Sequence, residues 1–109
     1  MLQNKALAVI GLGYVGLPFA ELASKKGWNV VGIDISEEKL ASLKTQELPF
    51  TPTSDFSAIK NVSTIVMCVP TPVRENHMPD LGPVENACRS VAPYLQKGQL
   101  VILESTVNP

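Results

Sequence analysis

Histidine and cysteine are nearly absent from this 109-residue sequence: His77 stands alone, and Cys68 and Cys88 are the two cysteines. A zinc site needs three or four such side chains at ligand spacing, so no metal cluster can be assembled, and no nucleophile–base pair either. Two cysteines without a framework spacing argue against a disulfide-stapled secreted domain and point to a reducing compartment. An excess of charge of one sign is missing too. Nine Lys and Arg against ten Asp and Glu leave a net charge of −1, with no basic stripe, which speaks against nucleic acid as a partner. No apolar run approaches the ~20 residues that span a bilayer, and the N-terminus has no charged region followed by an apolar one and a cleavage site. Repeats and low-complexity tracts are absent as well. These exclusions leave one soluble domain, with no membrane role, expected in the cytoplasm and short enough to be half of something larger.

What is present alternates between two patterns. Residues 6 to 10 (ALAVI) are continuously apolar, as in a strand buried on both faces. They run into Gly11-Leu12-Gly13-Tyr14-Val15-Gly16, after which Val15, Phe19, Leu22 and Ala23 recur on one face of a helix. Pro18 is tolerated in the first turn, and Gly27 ends the helix. Residues 29 to 33 predict a second strand closed by Asp34. Ser36 then caps a helix with Glu37 and Glu38 in its first turn and an Ile35–Leu40 staple, fading near Thr45. Residues 48 to 51 read as a short edge strand, because Pro49 and Pro52 exclude a central one. Ser54 caps a short helix through Lys60, and residues 64 to 69 give the next buried strand. After a polar loop over 73 to 81, Gly82 (N-cap), Pro83 and Glu85 open a helix with the stripe Val84, Ala87, Cys88, Val91, Ala92 and Leu95. Pro93 ends or kinks that helix, Gly98 closes the segment, and residues 100 to 103 form a fifth strand. Strands alternating with helices predict an α/β fold, a parallel sheet in the order 3-2-1-4-5 with helices on both faces. A complete sheet of this kind has a sixth strand, so the chain reads as truncated after the fifth.

The chemistry gathers where the first strand meets the first helix. The pattern G-x-G-x-x-G, lying between strand and helix, with an acidic residue closing the next strand, is the fingerprint of a dinucleotide site. Gly11 allows the tight turn, Gly13 lets backbone approach a pyrophosphate, and Gly16 lets the helix pack close to the strand. The first-turn amides of the helix then face the phosphates. Asp34 can accept from both adenosine ribose hydroxyls but repels a 2′-phosphate, so NAD is favoured over NADP. Lys39 is the nearest cation, although by residue type alone it reads as a solvated lysine. Ligands in such sheets lie beyond the carboxyl ends of the strands, which brings Thr71, Ser105 and Thr106 to the same edge; there they serve a ligand or merely cap strands. Cys68, mid-strand, and Cys88, on an apolar helix face, read as inert core thiols, and His77 as a solvated loop residue.

GLGYVGLP at 11 to 18, DISEEK at 34 to 39, VPTP at 69 to 72, PDL at 79 to 81 and ESTV at 104 to 107 resemble the N-terminal part of the nucleotide-sugar 6-dehydrogenases over essentially the whole chain. The combination is most similar to the branch acting on UDP-N-acetylglucosamine or UDP-N-acetylmannosamine; the UDP-glucose branch more often carries lysine where this chain has Glu104. The resemblance implies a Rossmann-type NAD-binding domain of an enzyme that oxidises the C6 alcohol of a UDP-sugar to the carboxylate with two NAD. It implies cofactor contacts at Gly11, Gly13, Tyr14, Val15, Gly16, Asp34, Lys39, Thr71 and Thr106. It also implies a homo-oligomeric full-length protein whose essential cysteine and lysine lie in a later sugar-binding domain. Neither Cys68 nor Cys88 matches that cysteine, so no catalytic residue is assigned and the chain alone is expected to be inactive. The family usually has a longer stretch between the second helix and the third strand, where this chain has only Thr45 to Leu48. Two other readings share these residues. One is a different Rossmann dehydrogenase, which more often reads GLGxMG where Tyr14-Val15 stands here; the other is a nucleotide-sensing module without catalysis.

Overall fold

Successive side chains of a strand point to opposite faces, so the apolar run at the start of the chain must be covered twice. In the computed structural model, which describes residues 3–70 and 74–104, the first strand β1 (Gln3–Ile10) is covered in this way. Ala6, Ala8 and Ile10 join Ile59, Ala87 and Val91 on one face, while Leu7 and Val9 join Leu12, Ala20, Ala23 and Leu43 on the other. The elements that follow are α1 (Gly16–Lys25), β2 (Asn29–Ile33), α2 (Glu37–Lys44), β3 (Pro52–Thr53), a 3-10 helix (Phe56–Asn61), β4 (Val62–Met67), α3 (Gly82–Val91), a 3-10 turn (Ala92–Tyr94) and β5 (Leu100–Leu103). All strand pairs are parallel and the order is β3-β2-β1-β4-β5, as the sequence predicts. Helices α1 and α2 cover one face; the first 3-10 helix and α3 cover the other.

Several local expectations are corrected. The buried face of α1 is Gly16, Ala20 and Ala23, not the larger apolar stripe; Val15, Phe19 and Leu22 are exposed. Small side chains let the helix axis approach the sheet, which turns the bulkier residues outward. Leu40 is buried but Ile35 is 73% exposed, so no staple closes over α2. The edge strand forms at Pro52–Thr53 rather than at 48 to 51. Ser24 Oγ donates to the Pro49 carbonyl at 3.1 Å, and the Phe50 ring fills the space over Gly32, so the chain is held off β2 until residue 52. Asp55, not Ser54, caps the following helix: its carboxylate accepts from the Ser57 amide at 3.0 Å and the Ser57 hydroxyl at 2.7 Å. Strand β4 runs over Val62–Met67, two residues earlier than expected. Leu81, not Gly82, is the N-cap of α3; Gly82 is its first residue, and its amide donates to Asp80 Oδ1 at 2.9 Å. Only Ala87 and Val91 of its stripe are buried; Cys88 is exposed within the helix, and Ala92 and Leu95 are exposed past its end, where the chain enters the 3-10 turn that contains Pro93. All four residues of β5 are exposed.

Candidate functional site

Three chain segments leave the carboxyl edge of the sheet side by side, after Ile10, Ile33 and Met67. The turn at Gly11 is tied to its neighbours first through backbone: its amide donates to the Ile33 carbonyl at 2.7 Å, and the Cys68 amide donates to the Ile10 carbonyl at 2.7 Å. Gly11 takes φ +96°, where L side chains are strained, and a Cβ there would run into the Cys68 carbonyl. At Gly16 a Cβ would collide with the Gly11 carbonyl and crowd Cys68 Cβ at 3.2 Å. Both glycines are therefore required by the fold itself.

Gly13 is different. The nearest atom to a Cβ placed there is Lys39 Nζ at 3.8 Å, and its φ is not in the left-handed region. Among the described residues nothing demands glycine at this position, which leaves the loop open to a group docking against it. The adjoining end of α1 also fits an anion. Its N-cap, Val15, offers no side-chain hydrogen bond, and its first turn has no acidic residue, in contrast to α2 with Ser36, Glu37 and Glu38. Among the described residues, neither a side-chain cap nor a first-turn acid of α1 compensates the positive end of its dipole. Tyr14 is fully exposed and Val15 half exposed beside it.

Asp34 is the buried charged side chain of the site, 7% exposed. Its Oδ2 accepts from the Leu12 amide at 2.8 Å and its Oδ1 from the Ser36 amide at 2.9 Å. Lys39, the third residue of α2, places Nζ 3.5 Å from Oδ2 while remaining 41% exposed. The lysine therefore stands over both Asp34 and Gly13, and is not simply a solvated surface residue. The structure brings together the glycine loop, Asp34 and Lys39 singled out in the sequence, and adds the Leu12 amide, which sequence reasoning missed, as a partner of Asp34. The Asp-x-Ser turn from residue 34 to 36, which puts a carboxylate near the amide two residues on, was the available signal for the other bond.

Thr71, Ser105 and Thr106 lie outside the described residues. Cys68 sits just past the end of β4 against Gly16, half-buried, and not mid-strand as expected. Burial, with a smaller contribution from Glu104, pushes its thiol pKa up, which disfavours the reactive thiolate. Cys88 is exposed on α3 and is not a core thiol. His77 is exposed in a turn at φ 64°, its amide donating to the Arg74 carbonyl at 2.9 Å. No group of three metal-ligating side chains occurs among the described residues, and none of their helices is long and apolar enough to cross a membrane. A groove of about 830 Å³ lies away from the glycine loop, along Trp28–Val31 and Pro49–Thr51, and no titratable side chain lines it.

Residues 5–109 match the NAD binding domain of the UDP-glucose/GDP-mannose dehydrogenase family. The chain is 35% identical to UDP-N-acetyl-D-mannosamine dehydrogenase of Methanococcus maripaludis, with 96% of this chain and 29% of that protein covered. It is 37% identical to UDP-N-acetyl-D-glucosamine 6-dehydrogenase of Pseudomonas aeruginosa, over 99% of this chain and 29% of that one. Both matches extend over 124 positions, more than the 109 residues of the chain, so these relatives carry internal residues that it lacks. Among solved structures, the UDP-D-ManNAc dehydrogenase from Pyrococcus horikoshii superimposes with a TM-score of 0.85 at 32% identity, covering 95% of this chain and 29% of that one. The chain spans under a third of the length of each.

Proposed function

Since the chain belongs to the NAD-binding domain of the UDP-glucose/GDP-mannose dehydrogenase family, we propose that it is the cofactor-binding part of an enzyme that oxidises the C6 alcohol of a UDP-sugar to the carboxylate. A UDP-N-acetylhexosamine is the favoured sugar nucleotide, on the likeness to dehydrogenases of UDP-N-acetylmannosamine and UDP-N-acetylglucosamine. Residues 1–109 then form part of the NAD-binding domain, and the sugar-binding and catalytic residues belong to the portion of the relatives beyond the matched region. NAD supplies the hydride acceptor. The chain's own residues bind and orient it: the loop from Gly11 to Gly16, with Tyr14 and Val15 at the helix start, receives the pyrophosphate. Asp34 accepts from the adenosine ribose, and Lys39 places a cation beside both. Thr71 and Thr106 join the site by resemblance. The reading also takes the full-length protein to be cytoplasmic and, by resemblance, a homo-oligomer.

The observation that carries this reading is the pairing of an uncrowded Gly13 with a buried carboxylate at the end of β2. A 2′-phosphate brought to Asp34 would set two negative charges together at a site that is only partly solvated. Calorimetric titration of the protein with NAD and NADP is therefore expected to show tighter binding of NAD by on the order of tenfold, about 1.4 kcal/mol. Equal or tighter binding of NADP overturns it. The 109-residue chain supplied with NAD and either UDP-sugar is expected to form no NADH. Formation of NADH that is lost on Cys68→Ser would place the chemistry at Cys68 instead.

A further inference from the structure

The turn at the start of the glycine loop is pinned to the end of β2 by two successive amides. Gly11 donates to the Ile33 carbonyl at 2.7 Å, and Leu12 donates to the Asp34 carboxylate at 2.8 Å. The Leu12 side chain is itself buried, 2% exposed, in the cluster beneath α1, so this residue is held at both its amide and its side chain. The second carboxylate oxygen of Asp34 holds the Ser36 amide at 2.9 Å, which fixes the entry to α2 and thus the position of Lys39. All of these partners belong to the protein. We infer that Asp34 is a positioning residue for the whole phosphate-binding loop, in addition to its proposed contact with the adenosine ribose.

The inference rests on the NAD-binding reading and deepens it: the affinity that Asp34 provides reaches the pyrophosphate, a group it does not touch. The chemistry of the carboxylate matters. Its two oxygens accept from two backbone donors on different segments, and the isosteric amide of asparagine offers one oxygen and one NH₂. In Asp34→Asn, either Leu12 N–H or Ser36 N–H is left facing another donor, and the loop loses one of its ties.

A cycle of protein and ligand variants separates the two roles. Wild type and Asp34→Asn are titrated with NAD and with an NAD analogue whose adenosine ribose lacks both hydroxyls. If Asp34 acted only through those hydroxyls, the substitution would leave the analogue's affinity unchanged, and that result overturns the inference. The expected result is a loss for the analogue as well, on the order of fivefold, the scale of one hydrogen bond. Amide hydrogen exchange in the cofactor-free protein provides a reading independent of NAD, so that failure of wild type to bind any dinucleotide defeats the NAD reading alone. The Leu12 or the Ser36 amide, whichever loses its acceptor, is expected to exchange roughly tenfold faster in Asp34→Asn while Val9 and Ile65 in the sheet keep their protection. Unchanged exchange at both Leu12 and Ser36 overturns the inference. Should Asp34→Asn not fold, wild type decides: a protected Leu12 amide supports the tie, and one exchanging as fast as in an unfolded chain removes it.

Discussion

At the scale of single residues, the three glycines of the loop are alike in sequence and unlike in what they answer to. Gly16→Ala drives a Cβ into the Gly11 carbonyl and is expected to destabilise the fold by about 1–3 kcal/mol, the cost of overpacking. Among the described residues Gly13→Ala meets only Lys39 Nζ, at an ordinary contact distance of 3.8 Å, and should leave stability within about 0.5 kcal/mol of wild type. Its effect is expected in NAD affinity, with a loss of tenfold or more on titration. Denaturant unfolding and calorimetry on the two variants check the contrast; equal losses of stability would mean that Gly13 is structural too. The spacing of the motif made all three positions legible, because each glycine lies in a fixed relation to the strand end and the helix start. The sequence did not make legible that Asp34 is shared between Leu12 and Ser36. That arrangement depends on β1 and β2 ending level, a property of register that no local pattern carries.

Elements were legible where one local signal decided them. Strands β2 and β5 and the Ser36 cap of α2 fall where expected, since short runs rich in Val and Ile and a cap followed by acids leave few competing conformations. Ser36→Ala, which removes the acceptor for the Lys39 amide at 3.2 Å, is expected to cost about 1 kcal/mol in chemical denaturation. Where tertiary packing decided instead, the pattern misled. The buried face of α1 consists of small residues because the helix lies close to the sheet, and the position of β3 is set by Phe50 over Gly32. The entry to α3 is held by a carboxylate, Asp80, just before its N-cap Leu81, and this has a consequence in acid. The Gly82 amide, aided by Arg74 against some desolvation, holds the Asp80 carboxyl below its ordinary value of about 3.9. The stabilisation is thus fully present above that value and is lost as the pH falls through the lower, folded one. An NMR titration of the Asp80 carboxyl should give a midpoint below that of an unstructured peptide, and Asp80→Asn should flatten the acid limb of stability.

For the molecule as a whole, the strand order was the most legible feature, because parallel strands joined by helices leave few topologies once crossovers are right-handed. The exposure of the outermost strand is a property of the assembled sheet. Leu100 and Ile102 project to the face of α1, Val101 and Leu103 to the face of α3, and all four are at least 40% exposed. No charged side chain interrupts them, so the 109-residue chain on its own is expected to self-associate through this edge. Sedimentation at rising concentration should show association that Ile102→Lys abolishes; a wild-type monomer at high concentration would show the edge to be protected. The opposite margin of the sheet limits what can form. There β3 is two residues long and begins with a proline, which has no N–H to offer an incoming strand. The sheet can therefore grow in one direction only. Two chains meeting edge to edge at β5, related by a two-fold axis, consume the one open sheet margin among the described residues of each, so association through it is expected to close as a dimer and not to propagate into a fibre.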